Sequence, residues 1–208
     1  LVITEVPEIE MDEARKEQIL AEARFLRGHF YGIMIRSFGD LPLVTEVDPP
    51  LDLSRTPASE IFNDLIIPDL EFAASVLPEK SQIDQYTRAT RGAAKSELAR
   101  LHLFYGNYSE VESLLEDVVE SQEYQLEDNY SDIFIPESEH GVESVFEISA
   151  IPGNFAEGGN QYANTWAIRG TPNRGWGFGR PAYPWIEMMQ DKMDPRLDPS
   201  VIFLGETL

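Results

Sequence analysis

The stretch from Met11 to Val47 constrains this chain more than any other, because it reads as one long helix with an abrupt stop. From about Asp12 to Phe38, Ile19, Ala23, Leu26, Phe30 and Ile33 recur at alternating steps of four and three, the spacing of one helical face. The first half is amphipathic, and its Glu13, Arg15, Lys16, Glu17 and Glu22 are predicted to face water. The second half is apolar nearly all round, from Phe25 through Tyr31, Met34 and Ile35 to Phe38. A helix with no polar side has to be covered on several sides, so this one is predicted to be central. Gly28 and Gly32 lie one turn apart. Each costs about 1 kcal/mol of helix propensity relative to alanine, so a closely approaching neighbour is expected at both. Gly39 fits a C-cap, and Pro42 blocks any continuation.

Helical signals continue downstream. After a loop rich in proline and aspartate (41–55), Thr56-Pro57 predicts a helix start, with threonine as N-cap and proline at the first helical position. Phe62, Leu65 and Ile66 give that helix an inward face, Pro68 predicts a kink, and Pro78 ends it. Thr90 caps a further helix with the face Ala94, Leu98, Leu101, Tyr105. Gly106-Asn107 then turns the chain into a partner helix with Val111, Leu114, Leu115, Val118 and Val119 inward and acids outward. A turn this short between two amphipathic helices predicts an antiparallel hairpin. Beyond Tyr124 the pattern changes: Val142, Val145, Phe146 and Ile148 suggest a short strand, 151–184 reads as irregular, and a short helix is expected over Trp185–Lys192. The fold class is therefore mainly α, a helical scaffold over 1–150 with a long irregular, aromatic-rich loop region over 151–208. The start at Leu1 and the apolar run Val201-Ile202-Phe203 near the other end give the expectation that native termini are missing.

Chemistry narrows by exclusion. A net charge of −21 argues against nucleic acid, since an acidic surface repels phosphates. There are no cysteines, so disulfides and thiolate metal sites are excluded within this segment. No apolar run reaches the roughly 18 residues of a membrane span. His29 and His102 fall in predicted helices without a second histidine at ligand spacing, and read as packed imidazoles. No zinc-protease, nucleophile-elbow or phosphate-loop motif occurs, and Gly175-Trp176-Gly177-Phe178-Gly179 lacks the strand and helix cap of a phosphate cradle. The 37 acids make any carboxylate pair uninformative, so a glycosidase stays only as a third reading. Asp191, Asp194 and Asp198 do not have calcium-loop spacing, and Asp194-Pro195 reads as a turn. No catalytic residue, metal or cofactor is assigned.

The aromatic loop is the exception. Tyr162, Trp166, Trp176, Phe178, Tyr183 and Trp185 lie among Asn160, Gln161, Asn164, Arg169, Asn173, Arg174 and Arg180. An indole in a glycine-rich loop does not easily bury all its area; its flat face suits the C–H face of a sugar ring, with amides and guanidinium groups bonding the hydroxyls. The plainer reading is that the rings pin a long loop onto the helices. The candidate ligand-binding residues are Trp166, Trp176, Tyr162, Asn160, Arg169, Arg180 and Tyr183. Trp185 opens a predicted helix and is the poorer candidate.

Several stretches together carry a family resemblance. Glu22-Ala23-Arg24-Phe25-Leu26-Arg27 followed by Phe38-Gly39-Asp40-Leu41-Pro42-Leu43, then Arg55-Thr56-Pro57, Thr90-Arg91-Gly92-Ala93-Ala94-Lys95 with Leu98-Ala99-Arg100-Leu101, Val145-Phe146-Glu147-Ile148 and Asp194-Pro195-Arg196, resemble in order the motifs of SusD/RagB-type proteins. The resemblance implies tetratricopeptide-like helix pairs carrying a loop-rich ligand-binding part. It also implies a non-catalytic, lipid-anchored outer-membrane protein at the cell surface. Such a protein captures glycan nutrients and works with a SusC-like TonB-dependent transporter; its membrane contact would run only through a lipid anchor outside this segment. It assigns no ligand-contacting residue. The alternative from the helix pairs themselves is a helical-repeat module that binds a peptide or protein.

Overall fold

The computed structural model describes residues 1–149, 165–167, 169 and 175–203. It divides into two compact units, 1–126 with 142–147, and 127–141 with 148–208. The predicted mainly helical class is what the structure shows.

In the first unit, a short α1 (Val2–Glu5) precedes the long α2 (Glu13–Phe38). Asp12 accepts from the Arg15 amide at 2.9 Å and caps α2. Gly39, at φ 68°, closes it by donating to the Ile35 carbonyl. A two-residue ribbon follows: β1 (Leu41–Pro42) pairs antiparallel with β2 (Arg55–Thr56), Leu41 opposite Thr56. α3 (Ala58–Ile61) and α4 (Ile67–Val76) are joined through Phe62–Ile66, where Ile67 N–H reaches back five residues to the Phe62 carbonyl. α5 (Arg91–Tyr105) and α6 (Tyr108–Glu120) form the expected hairpin. Gly106, at φ 79°, and Asn107 donate to the Leu103 and His102 carbonyls, a Schellman-type stop that reverses the chain.

The core joins Ala21, Phe25, Tyr31 and Ile35 of α2 to Phe62, Leu70 and Leu77, and to Ala94, Leu98 and Leu101 of α5. The approach expected at the two glycines is real. A methyl at Gly28 would sit 2.9 Å from Leu70 Cγ, and one at Gly32 would sit 3.0 Å from Leu101 Cδ1.

Several expectations are corrected. The inward face of α2 is Ala21, Phe25, Gly28, Tyr31, Gly32 and Ile35, whereas Leu26, Phe30 and Ile33 are exposed and Ile19 and Ala23 half-buried. The close contacts at the glycines decide the face, and a count of large apolar side chains does not register them. Glu22 is not a water-facing residue, because Arg88 donates to both its carboxylate oxygens. Thr56 lies in β2, and the orphan amide of Ala58 at the start of α3 is taken instead by Asp40 Oδ1, at 2.8 Å. Residues 142–148 form no strand; the segment is held by Lys80 donating to the Ser144 carbonyl and by Val145 and Phe146 packing on the core. In α6, Val118 is buried with Val111 and Leu114 beside it, while Leu115 and Val119 are exposed. At Pro68 the chain does not simply kink. The wider turn ahead of it absorbs the missing proline donor, and Pro68 sits in the first turn of α4.

In the second unit, α7 (Tyr183–Asp191) and α8 (Leu197–Ser200) bury Met189, Leu197 and Val201 against Trp185, Ile186 and Phe203. Arg196 donates to both oxygens of Asp194 in the turn between them, as the Asp-Pro-Arg reading expects.

Candidate functional site

The site is built on glycines. Phe178 N–H donates to the Thr165 carbonyl and Gly177 N–H to the Ala167 carbonyl, both near 3 Å, and Arg169 faces Gly175 across an isolated bridge. These contacts bring Gly175, Gly177 and Phe178 beside Thr165, Ala167 and Arg169. The alternating glycines meet the neighbouring segment. A methyl at Gly179 would collide with the Trp166 ring, one at Gly175 with the Ala167 carbonyl, and one at Gly177 would lie 2.8 Å from Arg169 Cβ. The glycine run is therefore a thin backbone on which Trp166 and Arg169 rest, and its Gly177 and Phe178 amides are bonded within the protein.

Trp176 and Phe178 stand between these glycines. Trp176 and Phe178 meet edge to face, with centroids 6.2 Å apart. Trp166 is 51% exposed and Trp176 49%, so each indole keeps about half its surface in water. Tyr183, at the first position of α7, is 70% exposed. Arg169 and Arg180 are exposed, and no carboxylate pairs with either among the described residues. The structure thus gathers Trp166, Trp176, Arg169, Arg180 and Tyr183 into one unit and adds Phe178, which the candidate set lacked. Its signal was the period-two step from Trp176 across Gly177. Tyr162 and Asn160 lie outside the described residues. Trp185 is half-buried against the small core of the second unit.

The carboxylates whose pKa is displaced among the described residues, Glu110 and Asp194, are both pushed down. Ser109 donates to Glu110, and Arg196 holds Asp194 at about 2. That is the wrong direction for a general acid. Among the described residues no cluster of three or more metal-ligating side chains occurs, and no helix is long and apolar enough to cross a membrane. The two helix histidines are packed as expected. His29 stacks on Phe25 and lies edge-on to Phe146, and His102 lies edge-on to Phe62.

A trunk of paired helices bearing a separate segment of half-exposed rings is the class of protein that this fold and site define. Residues 2–103 match a SusD-like family described as starch-binding and associating with the outer membrane, and the chain belongs to the SusD-like family. SusD-like protein P2 of Formosa agariphila is 28% identical over 196 residues, covering 86% of this chain and 37% of that protein. A laminarin-binding SusD-like protein shares the fold with a TM-score of 0.84 at 24% identity, over 95% of this chain and 48% of that one. A structure solved with xylogluco-oligosaccharide superposes with a TM-score of 0.65 at 29% identity, over 75% of this chain and 34% of that one. The chain thus spans about a third to a half of the length of these relatives.

Proposed function

We propose that this chain is a non-catalytic glycan-binding protein. In this reading 1–150 is the scaffold and 151–208 the ligand-binding part of one SusD-like domain. The carrying observation is that both indoles keep about half their surface in water while glycine backbone fixes one of them from behind. An oligosaccharide stacks a sugar face on Trp166 or Trp176, Phe178 extends the apolar strip, and Arg169, Arg180 and Tyr183 bond the hydroxyls, with Asn160 and Tyr162 contributing from the same loop. Relatives that bind laminarin or were solved with xylogluco-oligosaccharide support a polysaccharide as the ligand class. The family description supports work at the outer membrane. There the protein would be lipid-anchored at the cell surface and pass its ligand to a SusC-like TonB-dependent transporter.

Isothermal titration of the purified chain against a polysaccharide panel that includes laminarin and xylogluco-oligosaccharide tests this. Heat with at least one glycan, at an affinity lowered by Trp166→Ala and by Trp176→Ala, is the expected result. Silence across the panel, or binding untouched by both substitutions, removes the proposal.

A further inference from the structure

The helical trunk holds a cavity that sugar stacking does not use. It measures about 560 Å³ and opens among α4, α5 and α6. Ala74, Leu98 and Leu114 supply its apolar lining, with Glu71 and Glu110 among its polar lining residues. His102 forms part of the wall and is only 7% exposed. The Asn107 side-chain amide lies 3.1 Å from its Nδ1, while Nε2 has no hydrogen-bond partner among the described residues. Burial pushes the His102 pKa down, against the pull of Glu110 and Glu71, so the ring is neutral at physiological pH. With the amide donating to Nδ1, the hydrogen-bond network assigns the ring proton to Nε2, an N–H donor on the cavity wall with no acceptor among the described residues.

The charges around the cavity are unbalanced. Lys95, the cation in its lining, gives its ammonium to Asp117 at 2.7 Å. Glu71 and Glu110 have no cationic partner among the described residues; Glu110 accepts from Ser109 and from its own backbone amide. The cavity therefore combines an aliphatic floor, one N–H donor and two uncompensated carboxylates. A sugar offers no cation for those acids, and an anion is repelled by them. A polypeptide supplies all three complements: an aliphatic side chain, a backbone carbonyl and a basic side chain.

We propose that this cavity docks a peptide segment of a partner protein, with an arginine or lysine against Glu71 and Glu110, a neighbouring aliphatic side chain on Ala74, Leu98 and Leu114, and a backbone carbonyl accepting from His102.

The test is an NMR titration of the full chain with a short capped peptide carrying arginine between leucines, beside a twin with glutamate for the arginine. The arginine peptide shifts the His102 imidazole signals and the amides of α4, α5 and α6, and the twin does not. Glu71 and Glu110 are exposed, so Glu71→Gln with Glu110→Gln keeps the fold. That double variant weakens the arginine peptide by about tenfold and leaves glycan titration unchanged. Absence of binding, binding that does not move His102, equal affinity for the twin, or an unaffected double variant each overturns the proposal. Since the glycan readout is separate, failure here is distinct from failure of the ring platform.

Discussion

The helical trunk and the ring-bearing segment solve opposite problems with similar residues. In the trunk, arginines and acids are bound to each other across helices. Arg27 donates to both oxygens of Asp69, at 2.6 and 2.8 Å, Arg24 lies over the Phe72 ring, and Arg88 holds Glu22. In the second unit, Arg169, Arg180, Trp166, Trp176 and Phe178 face water, and glycine backbone lies against Trp166 and Arg169. The trunk spends its polar groups on fixing helix register, which leaves few of them for a ligand. The ring segment has exposed apolar area and, in Arg169 and Arg180, guanidinium groups without a carboxylate partner among the described residues, the combination a hydroxylated ligand requires.

The sharpest way to break this contrast is to unpair the trunk. Asp69 is 3% exposed, so Asp69→Ala strands two arginines and should cost about 3 kcal/mol, read as a lower urea midpoint. Glycan affinity of the folded fraction should not change; a parallel loss of affinity would blur the division of labour. Next in size is Gly28→Ala. Helix propensity alone predicts a gain of about 1 kcal/mol, whereas the clash with Leu70 predicts a net loss of about 1–2 kcal/mol, and thermal unfolding decides between them.

The ring segment should show the reverse pattern. Trp166→Ala or Trp176→Ala should each weaken glycan binding by about 1 kcal/mol, with stability held within about 0.5 kcal/mol. Gly179→Ala, which displaces the Trp166 ring from behind, should reduce affinity in the same direction, by titration calorimetry. The smallest effect concerns acid. Arg196 holds the exposed Asp194 carboxylate at about 2, below its ordinary 3.8. Its contribution is therefore complete above about pH 4 and fades as pH falls toward 2. A carboxyl NMR titration should show that depressed midpoint, and Arg196→Ala should return it to the ordinary range.

What the sequence made legible follows the same divide. Side-chain periodicity found α5 and its hairpin with α6 because Ala94, Leu98 and Leu101 are both apolar and inward. It misplaced the α2 face because Gly28 and Gly32 carry no side chain to count, while Leu26, Phe30 and Ile33 are apolar and exposed. Local capping rules suggested Thr56, but the acceptor at α3 is Asp40, brought from 18 residues away by the β1–β2 ribbon. The family-like motifs turn out to be these internal ties, Glu22, Arg27, Asp40 and Thr90 among them, so they report the fold and say nothing of the ligand. The candidate site was read from composition, and Phe178 joins it only through its contact with Trp176 across Gly177. The backing of Trp166 by Gly179 needed three dimensions.

The central claim is that Trp166 and Trp176 form the surface on which sugar settles. Following the three indole N–H signals by NMR during titration with the glycan that gives heat tests it most directly. Trp166 and Trp176 should move together along the binding isotherm while Trp185, packed in its small core, stays in place. A shift confined to Trp185, or to amides of the helical trunk, would contradict the account.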